Sequence, residues 1–196
     1  MFPLFYYLEF HPDLDSSSLF IYVSFILLTY VLLIYSSIKR THLHSSHALY
    51  FSFFSFFTFT TTAGLEIALT VDQLFMPWAG FYLKNGEPNF KSSYGAALNW
   101  WDGTFHLSLY LYMIWCLLER KSFRWAGFIW AGSIVNSILV SLPGNFIGVF
   151  SHDLKESILF NIPFALFPIY FTLKEWQKPS PAKLLKNKKE ATPRSF

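Results

Sequence analysis

Charge is scarce in this sequence. Charged residues make up 14% of the 196, against 53% hydrophobic, and Phe alone occurs 24 times. A soluble domain covers its surface with about 25% charged residues. The shortage therefore excludes an ordinary water-soluble domain and selects an integral membrane protein. Cysteine is nearly absent: Cys116 stands alone, inside an apolar span. That excludes an internal disulfide and says little about redox compartment. No cleavable leader is expected either. The opening MFPLFYYLEFHPDLDSSS is broken by charge and proline where an apolar h-region belongs. The first apolar span is therefore expected to act as an uncleaved insertion signal. There is no internal repeat, and the length allows one domain or one compact bundle.

What is present is apolar runs of membrane length, about 20 residues each. They fall near 19–38, 48–75, 98–118, 125–147 and 157–173. The second is interrupted by Gly64 and Glu66, and the fifth carries Pro163 and Pro168. Prolines inside spans are tolerated as kinks when neighbours satisfy the freed carbonyls. The expected fold class is all-α: a multi-pass membrane helical bundle of about five transmembrane helices. The organisation expected is an N-terminal segment with the first helix over 1–47, a four-helix unit over 48–175, and a basic tail over 176–196.

The formal charge of +3 conceals an asymmetry. With the N-terminus placed in the lumen, twelve of the 15 Lys and Arg residues fall in cytoplasmic connectors and the tail. Lys84, Lys91 and Lys155 remain on the lumenal side. The positive-inside rule reads this as N-terminus lumenal and C-terminus cytoplasmic. The basic clusters are thus a topology signal, and no nucleic-acid partner is expected. The tail, ending KKEATPRSF, is polar enough to be disordered.

Ionisable groups inside spans are costly and mark functional sites by default. Here they are Glu66, Asp102 and His106, joined by uncharged Asn136 and Asn161. Under the assigned topology Glu66, Asp102, His106 and Asn161 reach a similar depth in the lumenal half, with Asn136 nearer the middle. That convergence implies one polar pocket in an aromatic bundle, to which Trp101 adds a ring. Asp102 and His106 lie four apart on one helix face, close enough to hydrogen-bond and set the imidazole tautomer. Three roles stay open for them. They are acid–base chemistry with His106 or Glu66 moving a proton, recognition of a ligand hydroxyl or amine in an apolar cavity, or simple stapling of helices. Glu66, Asp102 and His106 supply the minimum of three ligands for a metal, but no metal and no cofactor are expected. His42, His44 and His47 read as solvated connector residues. LPGN at 142–145 reads equally as a helix break lining a cavity or as a helix-end turn. The aromatic excess reads as packing and interfacial belt ahead of ligand stacking.

The segments FYLKNGEPNFKSSYG, WWDGTFHLSLYLYMI, ERKSFRWAGFIWAGSIVNSILVSLPGNFIGVFS and ILFNIPFALFPIYF together resemble the transmembrane 6 superfamily. The resemblance is close over about residues 80–175 and looser over the first two helices. It implies an EXPERA unit like those of the emopamil-binding sterol isomerase and the sigma-two receptor, preceded by an extra helix. Members usually carry a second such unit, whereas this chain carries one and then a basic tail. The resemblance implies residence in the endoplasmic reticulum membrane, with the ER–Golgi intermediate and lysosomal membranes as alternatives. It implies a role in lipoprotein lipidation, lipid droplets and cholesterol balance. Set against the sterol isomerase, Glu66 and Asn161 match its pattern and Asp102 takes the place of its second acid. Thr62 replaces its His, and Phe164 stands where its Trp would be. His106 offers an imidazole from a different helix. The expectation is a sterol- or lipid-binding membrane protein, partnered by its ligand and by a second copy or a lipid-handling protein. The alternative is a sterol Δ8–Δ7 isomerase using Glu66, Asp102 and His106.

Overall fold

Long apolar runs satisfy their backbone polar groups internally, and in lipid a helix does so within one segment. The computed structural model describes residues 16–40, 45–72, 77–85, 87–147, 159 and 161–179. Among the described residues every regular element is helical. Helix α1 spans Ser16–Lys39 and α2 spans Ser45–Val71. A short α3, Pro77–Asn85, leads through a 3₁₀ turn, Pro88–Lys91, into α4, Ser93–Trp101. A π-helical turn, Asp102–His106, joins α4 to α5, Leu107–Leu118. Helix α6 is Arg124–Ile147 and α7 is Ile162–Trp176.

Several expectations shift. The connector between the second and third spans contains α3 and the 3₁₀ turn, and the third span begins at Ser93 rather than 98. Ser92 starts it there, its hydroxyl accepting from the Gly95 amide at 3.0 Å, a standard N-cap bond. LPGN does not end α6, which runs through Pro143 to Ile147. His42, His44 and the tail beyond 179 lie outside the described residues.

The core is aromatic. Tyr50, Phe54 and Phe57 on α2 meet Tyr110 on α5, Trp130 on α6 and Phe171 on α7, all with no exposed surface. Rings stack or meet edge-on, as quadrupoles favour: Phe53 lies 4.0 Å from Phe167 and Phe54 meets Trp130 at 87°. The outside is apolar too. Ile21 and Phe25 on α1, Leu139 on α6 and Leu166 on α7 are each more than 60% exposed. So much outward apolar surface suits lipid rather than water. Residues Ser46–Val71 have the length and apolarity of a membrane span by themselves. The chain is a multi-pass helical membrane protein.

Two glycines let helices touch. A Cβ on Gly127 would lie 2.1 Å from the Phe171 ring, where α6 crosses α7. A Cβ on Gly103 would lie 2.4 Å from Leu65 Cβ and 2.9 Å from its Cα, so the π turn rests directly on α2. Gly103→Ala is expected to lower stability by about 1–3 kcal/mol through overpacking. Gly132→Ala, with nothing within 4 Å of its added methyl, is expected to be neutral or to gain up to about 1 kcal/mol of helix propensity. Thermal melts of the two detergent-solubilised variants check this; equal melting temperatures would contradict the close approach.

Candidate functional site

The π turn carries Asp102 at its start and His106 at its end. Such turns are rare and concentrate at functional sites. Asp102 Oδ1 lies 2.6 Å from His106 Nδ1, and His106 Nε2 lies 2.8 Å from Ser133 Oγ on α6. The Trp101 indole N–H donates to the same Ser133 oxygen at 3.1 Å. A carboxylate only accepts and an indole only donates. With a neutral imidazole the bonds run from Trp101 Nε1–H to Ser133 Oγ, from Ser133 O–H to His106 Nε2, and from His106 Nδ1–H to Asp102. His106 is fully buried, so both ring nitrogens depend on these partners. One turn further, Trp130 Nε1 donates to Tyr110 Oη at 2.7 Å. This gives α5 and α6 a second polar rung beside the first.

The network opens outward. The Asp102 side chain is 28% exposed, and Trp101 is 46% exposed while stacked on Phe105 at 4.3 Å. On α6, Gly132 borders open space, and Asn136, one turn along, is exposed.

A second polar group lies in the connector. Glu87 is buried, accepting from Tyr82 Oη at 3.0 Å and from Asn161 Nδ2 at 3.4 Å. Burial pushes the Glu87 carboxyl up to about 7 against the opposing pull of those two hydrogen bonds, since a low-dielectric site disfavours the charged form.

Of the six expected site residues, Asp102, His106 and Trp101 come together around Ser133. Asn161 donates to Glu87, and Asn136 is exposed. Glu66 is half-buried on α2, beside the Leu65–Gly103 crossing. Phe164, expected in the place of a Trp, packs on Phe57 at 4.6 Å. Ser133 and Glu87 escaped the sequence reading. A serine in SIVNSILVS looks like any other in a span. Glu87 had only the GEP triplet to mark it. Among the described residues no group of three His, Cys, Asp or Glu side chains is placed to hold a metal ion.

A family model described as "Transmembrane 6 superfamily member 2-like, transmembrane domain" matches residues 1–186. The chain belongs to the transmembrane 6 superfamily. Over 120 residues it is 37% identical to human transmembrane 6 superfamily member 2, covering 61% of this chain and 32% of that protein. Over 111 residues it is 39% identical to the mouse protein, covering 57% and 29%. The rat protein is 36% identical over 124 residues, covering 63% and 33%. The matched stretch thus spans about a third of the length of these superfamily members. No solved structure matches the chain.

The raised Glu87 gives a pH prediction. In the folded protein this carboxyl holds its proton up to about 7, whereas unfolded it loses it near the ordinary value of about 4.3. Between those values the folded state binds more protons, so stability falls as pH rises. The contribution is present in full below the unfolded value and lost as pH climbs through about 7. Wild type is expected to melt progressively lower from pH 5 to 7.5, and Glu87→Gln is expected to flatten that slope. Parallel slopes would contradict a buried protonated carboxyl.

Proposed function

We propose that this protein binds a sterol or other lipid at the polar network of Trp101, Asp102 and His106, in the lumenal half of the endoplasmic reticulum membrane, and regulates lipid homeostasis there. The observation that carries this reading is the outward opening of an otherwise apolar bundle at Asp102 and Trp101. A ligand with one polar end and an apolar body fits such a place: its polar end lies at the Trp101 indole N–H beside the Asp102 carboxylate and its body lies along the exposed apolar faces of α5 and α6. The reading sets the N-terminus in the lumen and the C-terminus in the cytoplasm, on the strength of the Lys and Arg asymmetry. Membership of the superfamily supports a role in lipoprotein lipidation, lipid droplets or cholesterol balance. A second copy or a lipid-handling protein is the expected partner.

A second reading is a sterol double-bond isomerase. The pairing of Asp102 with a buried imidazole supports it, and the packing of Phe164 into the core weighs against it. Expression in cells lacking sterol isomerase separates the two. Conversion of Δ8 to Δ7 sterols, abolished by Glu66→Gln, would favour the enzyme.

The binding reading is tested by native mass spectrometry of the protein purified in mild detergent. Wild type is expected to carry a lipid adduct, and Asp102→Ala to lose about tenfold or more of it, as loss of a charge-assisted hydrogen bond implies. Equal adduct on both proteins would sink the reading.

A further inference from the structure

Ser133, His106 and Asp102 hold the connectivity of an acyl-transfer relay. The carboxylate is on Nδ1 of the imidazole at 2.6 Å, and the hydroxyl is on Nε2 at 2.8 Å. Nucleophilic serines are recognised by this order of contacts rather than by sequence position. A buried imidazole seeks a partner on each ring nitrogen in any case. Two further features go beyond stapling. An indole N–H already points at the hydroxyl oxygen, at 3.1 Å. Ser133 itself is only partly buried and stands next to Gly132, where nothing lies within 4 Å of an added methyl. Ser133 is thus not sealed into the core and is next in sequence to an open stretch of the α6 surface.

We propose that Ser133 is the nucleophile of a lipid acyl-transfer site, with His106 as its base and Asp102 as the positioning residue. This deepens the lipid-binding reading and rests on it, naming a carboxylic ester of a fatty acyl chain as the ligand. Ser133 Oγ attacks the ester carbonyl carbon while His106 Nε2 takes the hydroxyl proton. The Trp101 indole N–H, released from Ser133, donates to the carbonyl oxygen as it becomes an oxyanion. The tetrahedral adduct collapses, the C–O bond to the alcohol breaks, and His106 returns the proton to the departing alkoxide. This leaves an acyl-Ser133 and a free alcohol. Water, or a second lipid alcohol, then gives its proton to His106 and attacks the acyl carbon. Ser133 is regenerated, and a fatty acid or a new ester is released. Asp102 keeps Nδ1 protonated, so Nε2 faces the hydroxyl as an acceptor at the start of each half-reaction.

The test uses the full chain in nanodiscs and an alkyl fluorophosphonate, on which an activated serine displaces fluoride. Tryptic mass spectrometry maps the adduct. Wild type is expected to label at Ser133 and not at Ser137, one turn along the same helix. His106→Gln is expected to slow labelling by about a hundredfold, the scale of general-base help. Asp102→Asn is expected to slow it too, with Asp102→Glu restoring part of the rate and of the pH profile, which a merely structural role would not do. Nanodiscs carrying acyl-labelled phosphatidylcholine, or the same with acyl-labelled triacylglycerol, then identify the ester by which one releases its label. Absence of a Ser133 adduct on wild-type protein with a cooperative melt would overturn the proposal. So would unchanged labelling of a folded His106→Gln variant, or release of acyl label from neither lipid. The lipid adduct in native mass spectra of the same samples is independent of these outcomes. Adduct without labelling leaves binding standing and removes the chemistry. Loss of the adduct from wild type removes the binding reading itself.

Discussion

A fully buried imidazole governs the polar end of this bundle. His106 has no contact with solvent, and the hydrocarbon around the helices offers no hydrogen bonds of its own. Each ring nitrogen must therefore find a partner inside the protein, and an unsatisfied one costs about 1–3 kcal/mol. Asp102 comes from the start of the same π turn, and Ser133 from α6. The need to satisfy one side chain thus fixes how α5 lies against α6. Tyr110 and Trp130 repeat the tie one turn deeper. The Gly103–Leu65 contact then sets the depth of the turn against α2.

The aromatic core and the polar network divide the work. Rings from α2, α5, α6 and α7 fill the interior, and the one core ring that meets a buried carboxylate among the described residues is Tyr50, which donates to Glu175 at 2.9 Å. Their packing leaves the imidazole at the edge of the core, where Tyr110 and Trp101 rings flank it at 6.5 and 6.2 Å. Asp102 and Trp101 continue outward from it to the lipid-facing surface. The result is a short hydrogen-bonded path from a dry interior to a partly exposed carboxylate. Glu87 accepts from Tyr82 and Asn161, and so it ties the connector to the start of α7.

The spans were legible because apolar runs of that length have few alternatives. Their bounds moved by a few residues, as where Ser92 caps α4, while the fourth span ends at Ile147 as expected. The π turn was not legible, since DGTFH carries no periodic signal that separates it from an α-helical turn. The Asp102–His106 pair was legible from spacing alone, because residues four apart meet on any helix. The third member of the network was not. Ser133 is one of several serines in the span and is singled out only by which face of α6 turns toward His106. Asn161 showed as a polar group at a helix start, yet its partner Glu87 sits in a segment that reads as a loop. Depth in the membrane did not indicate which of these residues touch.

The central claim is that His106 holds one tautomer between two named partners. Nitrogen NMR of the protein with labelled histidine, in nanodiscs, measures this directly. The account predicts a His106 ring with its proton on Nδ1 and a bare, hydrogen-bond-accepting Nε2 whose resonance moves in Ser133→Ala. A proton on Nε2, or a His106 signal indifferent to the loss of the Ser133 hydroxyl, would contradict it.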